Sequence, residues 1–401
     1  MTLLPRGHTA VADLLAKGVV IPNPGSLDVD DDVDIDRISG DAVVLHPGTR
    51  LRGAKTVISA GCVLGAETPV TVENCQLGGG VHLKGGYVAN STFLDGANLG
   101  LGAHVREGCI LEEEASGAHC VGLKQTILFP FVTLGSLINF CDCLLSGGTS
   151  RSDHSEVGSS YIHFNFTPDG DKTTASLFGD VPRGVMLDQP PIFLGGQGGA
   201  VGPVHTGFGT IVGAGSILRG DVDEDGLLVL EGVHRDLRRP AAKASYRALR
   251  RVLEHNVDYL ASLVALDAWY RAARRPFFDA VDLGPLVLQG ALDALASGRA
   301  ERIKRLLAMI AKVPADGDPG RAQLVAAASD LPGLFDPSDA VAPVSLVASL
   351  SDAAASGLAY VDAVRALEPS VKADGTAWLT GIVSALRARS AALAPDLGLF
   401  G

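Results

Sequence analysis

Residues 93–116 read FLDGAN-LGLGAH-VREGCI-LEEEAS, four units of six residues that each begin with a large apolar side chain. The same period runs from Leu45 to Phe129. The heads of the units are Leu45, Leu51, Val57, Val63, Pro69, Cys75, Val81, Tyr87, Phe93, Leu99, Val105, Leu111, Gly117, Leu123 and Phe129. Four places after the heads, the side chains are nearly all small, as at Gly61, Gly79, Gly85, Ser91, Ala97, Ala103 and Ala115. A period of six belongs neither to a helix nor to a simple strand alternation.

Hexapeptide repeats are typical of a parallel β-helix, in which each unit forms one flat side of a triangular coil. We expect the head residue to point into the axis and the small residue to occupy the corner where the backbone turns. Because no coil buries its apolar face alone, neighbouring coils stack. The alternative is a glycine-rich β-sandwich with accidental spacing, and the agreement of two registers over the whole stretch disfavours it.

The composition is that of a globular protein, with 47% hydrophobic and 19% charged residues in a chain of 401. The 49 glycines and the low aromatic content of 5% suit a thin coil with a narrow axis. A formal net charge of −12 argues against a general nucleic-acid binder. The sequence has no apolar run of the about 18 residues that a membrane span needs, and it begins without a signal-peptide pattern. We therefore expect a cytoplasmic protein.

The six cysteines all fall in the repeat region: Cys62, Cys75, Cys109, Cys120, Cys141 and Cys143. Several occupy axis or corner positions, where a reduced thiol behaves as a small hydrophobic group. The last two are too closely spaced for a structural zinc pair. We expect reduced, structural cysteines rather than disulfides or metal ligands.

The sequence predicts three parts. Residues 1–24 form an N-terminal helix, at 8–17, and a lead-in. Residues 25–235 form the coil, with loop insertions at 146–153 and 167–200. Residues 240–401 form an α-helical domain, because glycine becomes rare there and apolar side chains recur at helical spacing. The arginines of this domain are expected to lie on a solvated helix face, with phosphate binding as the alternative: Arg271, Arg274, Arg275, Arg299, Arg302 and Arg305.

The densest polar cluster follows the first insertion, in HSEVGSSYIHFNF over residues 154–166. Strand alternation places His154 and Glu156 on one face of the coil and His163 on the next, beside the loop that carries Lys172. A histidine takes a proton from an amine or hydroxyl near neutral pH, and a lysine binds phosphate. The alternative is that both histidines are outer-face residues with solvent or subunit contacts.

Two further features lie in the last coils. His205 could reach the cleft of a neighbouring subunit. The glycine-rich run 195–199 lacks the strand-to-helix context of a phosphate loop, so we interpret it as backbone that passes close to a ligand or another subunit. A three-histidine metal site is disfavoured, because the close histidine pair that it requires is absent from the sequence.

The segment SDHSEVGSSYIHFNF at 152–166 resembles a rung of the left-handed β-helix half of a known enzyme family. That family is the bifunctional N-acetylglucosamine-1-phosphate uridyltransferase/glucosamine-1-phosphate acetyltransferase. LLAKGVVIPNP at 14–24 resembles its entry into the helix, and the stretch 192–222 is similar to its final rungs. The resemblance covers about residues 14–222. The sequence contains no counterpart of the glycine-rich nucleotide signature, so uridyltransferase activity is not expected.

The resemblance implies a homotrimer that binds acetyl-CoA in the cleft between coils, with a histidine that takes a proton from the sugar amine. Asn165 matches the asparagine that contacts the acetyl group, and Phe166 stands where the family has tyrosine. Lys172 approximates a phosphate-binding lysine, shifted by one residue. The family's catalytic histidine falls near Asp142, and its sugar-binding asparagine falls at Glu156.

The functional prediction is a hexapeptide-repeat acyltransferase-like protein that acts on a sugar phosphate or nucleotide sugar. The base is expected to be His154 or His163, with Asp142 at the family's catalytic position, and His205 is expected to contact substrate. Acetyl-CoA or another acyl-CoA is expected to contact the backbone near Gly195, Gly213 and Ala214. The alternative is a non-catalytic trimer that binds a sugar nucleotide or serves as a scaffold.

Overall fold

Short parallel strands stacked in three faces form a solenoid in the computed structural model, which describes residues 7–232, 238, 246–315 and 317–401. The first face contains Asp28–Val29, Arg50–Arg52, Val70–Glu73, Gly86–Ala89, Ala103–Val105, Ile162–Phe164, Gly199–Val201 and Ile217–Leu218. The second contains Val57–Ile58, Gln76–Leu77, Thr92–Phe93, Ile110–Leu111, Ser176–Phe178 and His205–Thr206. Strands Gly122–Leu128 and Asn139–Leu145 pair with strands of both faces.

The third face is a separate parallel sheet. Its strands are Val44–Leu45, Val63–Leu64, His82–Leu83, Asn98–Leu99, Ser116–Gly117, Thr133–Leu134, Glu156–Val157, Phe193–Leu194, Ile211–Val212 and Leu228–Val229. The residue at the second position of each strand is aligned with its neighbours, and from Leu45 to Val212 these residues are all buried. The core of the solenoid is therefore a stack of aligned apolar side chains, as the sequence predicts.

The predicted unbroken register of six residues is wrong between residues 57 and 87. Val63 and Tyr87 are only half-buried, and Pro69 is exposed. The aligned inward residues here are Ile58, Leu64, Val72, Leu77, Leu83 and Val88. Successive inward positions are thus separated by between five and eight residues, whereas the six-residue step holds from Phe93 to Leu123.

The five-residue steps have a common cause at the corner. Four of them contain a non-glycine residue with positive φ two places after the inward side chain: Asn74, Asn90, Gln125 and Asp142, with φ between 48° and 58°. The left-handed conformation turns the backbone sharply, so the corner needs one residue fewer. Asparagine and aspartate tolerate this conformation better than most residues do.

The two predicted loop insertions are structured. The first contains a small antiparallel hairpin of Gly148–Ser150 and Asp153–His154. The second is not one continuous loop, because Ser176–Phe178 returns to the second face and pairs with residues 143–145. The chain therefore leaves the solenoid twice between 165 and 192, once on each side of that strand.

Helices cover the described residues from 249 onwards. The α-helices among the described residues are α1 His8–Lys17, α2 Val181–Gly184, α3 Leu249–Trp269, α4 Arg275–Asp279, α5 Gly284–Ile310, α6 Pro319–Ala326, α7 Leu331–Leu334, α8 Val344–Ala355, α9 Tyr360–Arg365 and α10 Pro369–Leu393. A π-helical turn, Tyr270–Arg274, joins α3 to α4. The predicted fold class, a β-solenoid followed by helices, is confirmed. The predicted boundary near 235–240 falls mainly on residues outside the described ranges, so the division into domains stays a prediction.

Helices α3 and α5 attach the helical region to the solenoid. Gly290 of α5 approaches Gln76 of the second face so closely that an added Cβ would lie within 3.0 Å of the glutamine side chain. Asn256 of α3 donates to the carbonyl of Thr173 at 3.4 Å, and α10 packs on α3. None of the described helices is both long and apolar enough to cross a membrane.

All six cysteines are free, and Cys62, Cys75, Cys109 and Cys143 are buried. Burial raises the pKa of Cys62, Cys75 and Cys109 to about 12, so these thiols stay protonated at neutral pH. They pack as small apolar groups inside the coil.

Candidate functional site

His163 lies inside the solenoid. On the first face, His163 is aligned with Phe140 of the preceding coil and with Ala200 of the next coil. These are inward positions, which other coils fill with apolar side chains. Its side chain is only 3% exposed. The imidazole therefore belongs to the interior of the coil and not to an open cleft.

Both ring nitrogens of His163 have partners. Nδ1 lies 2.6 Å from the carbonyl oxygen of Cys141, which only accepts, so Nδ1 carries the hydrogen. Nε2 lies 2.6 Å from the hydroxyl of Ser176 and accepts its hydrogen, while Ser176 accepts from the amide of Val204 at 3.0 Å. Burial lowers the pKa of His163 to about 4, with a further contribution from the positive charge of Arg302, so the imidazole is neutral at pH 7.

Asp142, at the position where the resemblance implies a catalytic histidine, forms a buried ion pair. Its Oδ1 lies 2.9 Å from Nη2 of Arg302 in helix α5. Nη1 of Arg302 donates to the carbonyl of Lys172 at 3.0 Å. Burial raises the pKa of Asp142 even though Arg302 lowers it. The Asp142 carboxylate therefore serves to attach the helical region to the solenoid.

His154 has a different environment, at the end of the hairpin. Its imidazole is half-buried, and its Nδ1 is buried without a hydrogen-bond partner among the described residues. Arg151, in the turn of the same hairpin, donates to the carbonyl of Phe131 at 2.7 Å and thereby holds the hairpin against the preceding coil. Glu156 is exposed on the third face, paired with Thr133. Of the two predicted bases, His154 is the one with an unoccupied nitrogen.

The predicted ligand contacts after the rung lie in the first excursion from the solenoid. The side chains of Asn165, Phe166 and Lys172 are exposed. Asn165 Oδ1 accepts from the hydroxyl of Thr174 at 2.6 Å, which fixes the orientation of the amide. Lys312, at the end of the α5 segment, donates to the carbonyl of Asp169 at 2.5 Å, so the helical region holds this excursion in place.

His205 lies in a group of charged residues at the junction with α3. Its Nδ1 is 3.0 Å from Asp223, and its amide donates to Asp221 at 2.9 Å. Asp221 also accepts from Arg251 at 2.9 Å and contacts His255 at 3.1 Å. Burial alone would raise the pKa of Asp221, but the hydrogen bonds of His255 and Arg251 hold it below its usual range. His205 is therefore separate from the contacts made by His163.

The predicted cofactor contacts Gly195, Gly213 and Ala214 lie on adjacent coils. The backbone at Gly195 approaches the next coil, because an added Cβ would lie 2.6 Å from the carbonyl oxygen of Val212. The glycine at position 195 therefore allows the two coils to stack closely. Ala214 is exposed. No cofactor role of these residues is tested by the geometry, and it stays a prediction.

The expectation of solvated arginines is wrong for three of the six. Arg274, Arg299 and Arg302 are buried and form ion pairs. Their partners are carboxylates of the coil corners or of α3, which are distant in sequence, so helical spacing alone gave no signal for these contacts. Ser176 was also missed, because the strand that carries it begins inside a stretch interpreted as a loop.

The sequence is similar to bifunctional GlmU proteins of several bacteria. The bifunctional protein GlmU of Mycolicibacterium smegmatis is 29% identical over 242 residues, which is 59% of this chain and 45% of the relative. GlmU of Nostoc sp. is 29% identical over 212 residues, or 53% and 42% of the two chains. GlmU of Thermotoga petrophila is 26% identical over 212 residues, with the same coverage. The chain spans less than half the length of the curated relatives it matches.

The chain resembles the acetyltransferase half of GlmU. The resemblance predicted from the rung at 152–166 is thereby confirmed, and it supports a left-handed coil. No family model matches the sequence. The likeness to GlmU and the parallel solenoid together are the basis for the functional assignment that follows.

Proposed function

We propose that the solenoid is a hexapeptide-repeat acyltransferase that acts on a sugar phosphate or nucleotide sugar, with an acyl-CoA as donor. The likeness to GlmU supports the class of reaction. The observation that carries the choice of base is the half-buried position of His154 at the end of the hairpin, because His163 is enclosed in the coil with both ring nitrogens hydrogen bonded. Asn165, Phe166 and Lys172 project from the excursion between the first and second faces, on a different edge of the coil from His154. In this proposal they supply polar and apolar ligand contacts where two subunits meet.

In the proposed step, the amino nitrogen of the acceptor attacks the carbonyl carbon of the thioester. His154 takes the proton of that nitrogen as the C–N bond forms. The C–S bond breaks, and the sulfur leaves as the thiol of CoA after it receives a proton. General base catalysis of this kind contributes typically about 10²–10⁴-fold to the rate.

The test is release of free thiol from acetyl-CoA in the presence of amino-sugar phosphates and amino-sugar nucleotides. We expect turnover with at least one acceptor and a loss of about 100-fold or more in His154→Asn. The matched control is His82→Asn, since His82 is exposed on the third face in a distant coil. Absence of turnover across the acceptor panel, or full activity of His154→Asn, would overturn the assignment.

The homotrimer implied by the resemblance would place the ligand in a cleft between subunits. An aligned set of exposed apolar side chains on the third face supports such an assembly: Phe193, Ile211 and Leu228, which are 39%, 48% and 67% exposed. A row of this kind on adjacent coils is apolar area that association removes from water. A cytoplasmic location is part of the same proposal.

A second candidate function is non-catalytic. The position where the resemblance implies a catalytic histidine contains Asp142, which is committed to Arg302. This observation favours a trimer that binds a sugar nucleotide or serves as a scaffold. Such a protein would release no thiol from acetyl-CoA, and UDP-sugars would raise its melting temperature. The His154→Asn variant would show the same rise in melting temperature as the parent.

A further inference from the structure

A cavity of about 740 Å³ lies between the solenoid and the helical region, and none of the residues proposed for acyl transfer is in its described lining. At one end its residue Glu114 accepts a hydrogen bond from Arg151 of the 148–154 hairpin through the backbone carbonyl, at 3.0 Å. The solenoid side consists of successive corners after the second face. Three corners contribute only small residues, at 39, 59–60 and 78–79, and the next two contribute the acidic residues Asp95, Glu113 and Glu114. The small side chains at these corners leave space for the cavity between the coil and the helices. The acidic corners give the solenoid wall of the cavity a negative charge.

The opposite wall is apolar and aromatic. Phe277 and Phe278 of α4 and Tyr360 of α9 line it, with the rings of Phe277 and Tyr360 5.4 Å apart in an edge-to-face arrangement. Val281 and Leu358 add exposed aliphatic surface, at 54% and 41% exposed. The volume is within the range of about 300–1,000 Å³ that is usual for small-molecule sites.

Among the described residues that line the cavity, Arg274 is the one cation, and its charge is already balanced. It is buried, its guanidinium is 3.8 Å from the centre of the Tyr360 ring, and it forms ion pairs with Glu112 and Glu113. Two carboxylates already pair with this one guanidinium, and the cavity is also lined by the carboxylates of Asp95, Glu114 and Asp282. The free charge of the lining is negative.

The carboxylates of this wall retain capacity to accept hydrogen bonds. Asp95 is exposed in the cavity wall and receives one hydrogen bond through Oδ1, from the amide of Gly79 at 2.7 Å. Glu113 pairs with Arg274 through Oε1 and its Oε2 is enclosed, so the carboxylates of this wall open to a ligand are those of Asp95 and Glu114. Acceptors without donors, next to aromatic faces, are the environment that an ammonium group satisfies through charge, hydrogen bonds and cation–π contact.

We propose that this cavity is a binding site for an organic cation, an amine with an aromatic or aliphatic body. The ammonium group contacts Asp95 and Glu114, and the body lies against Phe277, Phe278 and Tyr360. The site is formed jointly by solenoid and helices, so occupancy stabilises their attachment. It is independent of the acyltransferase proposal.

The test is isothermal titration calorimetry of the full chain with phenethylamine, its neutral counterpart 2-phenylethanol and the anion phenylacetate. We expect the amine to bind at least tenfold more tightly than either comparator. Similar affinities for the amine and the alcohol, tighter binding of the anion, or no binding of the amine at millimolar concentration would each overturn the proposal.

Variants then locate the binding. Asp95→Asn keeps the oxygen that accepts from Gly79 and removes the charge, and we expect at least tenfold weaker amine binding. Asp336→Asn, an exposed acid outside the cavity, is the matched control and is expected to bind as the parent does. Leu358→Trp, at an exposed position of the lining, fills the cavity and is expected to abolish binding. If Asp95→Asn does not fold, Glu114→Gln is measured in its place. Unchanged amine affinity both in the variant that removes a carboxylate and in Leu358→Trp would refute the site.

Discussion

Arg302 and Asp142 form an ion pair of 2.9 Å that joins helix α5 to a corner of the solenoid, and both side chains are almost fully buried, at 3% and 6% exposed. The two residues are 160 positions apart in the sequence, 302 minus 142. Arg302 also holds the carbonyl of Lys172, so one guanidinium connects the coil, the first excursion and the helical region.

We expect Arg302→Met to lower the free energy of unfolding by about 3–5 kcal/mol, because it leaves the Asp142 carboxylate buried without its partner. The double variant Arg302→Met, Asp142→Asn should recover a large part of that loss, since the unpaired charge is then removed. The coupling free energy between Arg302 and Asp142 is measured by urea denaturation of the parent, the two single variants and the double variant. A loss below about 1 kcal/mol in Arg302→Met would contradict the role assigned to this pair.

His163 predicts a pH dependence of stability. Its pKa is lowered to about 4 in the folded chain, chiefly by burial, whereas the unfolded chain has the ordinary value of 6.5. As the pH falls from 6.5 to 4, the unfolded chain binds a proton that the folded chain does not, so stability is full above this window and falls within it. The expected loss is about 3 kcal/mol.

The pH prediction is checked by urea denaturation at pH 7 and pH 4. In His163→Asn this part of the loss should disappear, although the variant is less stable at pH 7. Ser176→Ala is the control, because it removes the hydroxyl partner and leaves the buried imidazole in place. Parallel pH profiles for the parent and His163→Asn would show that His163 does not titrate in this way.

Gly195 is expected to be intolerant of any side chain. Gly195→Ala would push the Cβ against the backbone of the next coil, 2.6 Å from the Val212 oxygen, and should cost about 1–3 kcal/mol of stability. Gly220→Ala is the matched control, because nothing lies within 4 Å of its added Cβ. Thermal melting of the two variants distinguishes close packing of coils from a loop with free space, which would tolerate both changes.

The third face is expected to mediate self-association. Ile211→Glu places a charge in the middle of the exposed row formed with Phe193 and Leu228, and should convert a trimer to monomers. Size-exclusion chromatography with light scattering measures this, with Val341→Glu, at an 86% exposed position of the helical region, as the control. A parent protein that is monomeric at micromolar concentration would contradict the assembly.

The sequence predicted the solenoid and the later helices because both carry their periodicity locally. It failed where the decisive contact was distant. Arg274 and Arg302 show no local sign of burial, since the carboxylates that neutralise them come from coil corners more than a hundred residues earlier. The inward position of His163 was likewise hidden, because strand alternation groups residues by face but does not show which face points into the coil.

Two of those short corners have a consequence for the architecture. Gln125 and Asp142 turn the chain with one residue fewer, and both lie under α5: Gly298 faces Gln125 and Arg302 binds Asp142. Restoring a sixth residue at either corner would leave the axis of the coil filled but move the corner outward against the helix. The number of residues in a coil therefore determines more than the shape of that coil, because it also sets whether the helical region can remain seated on the solenoid.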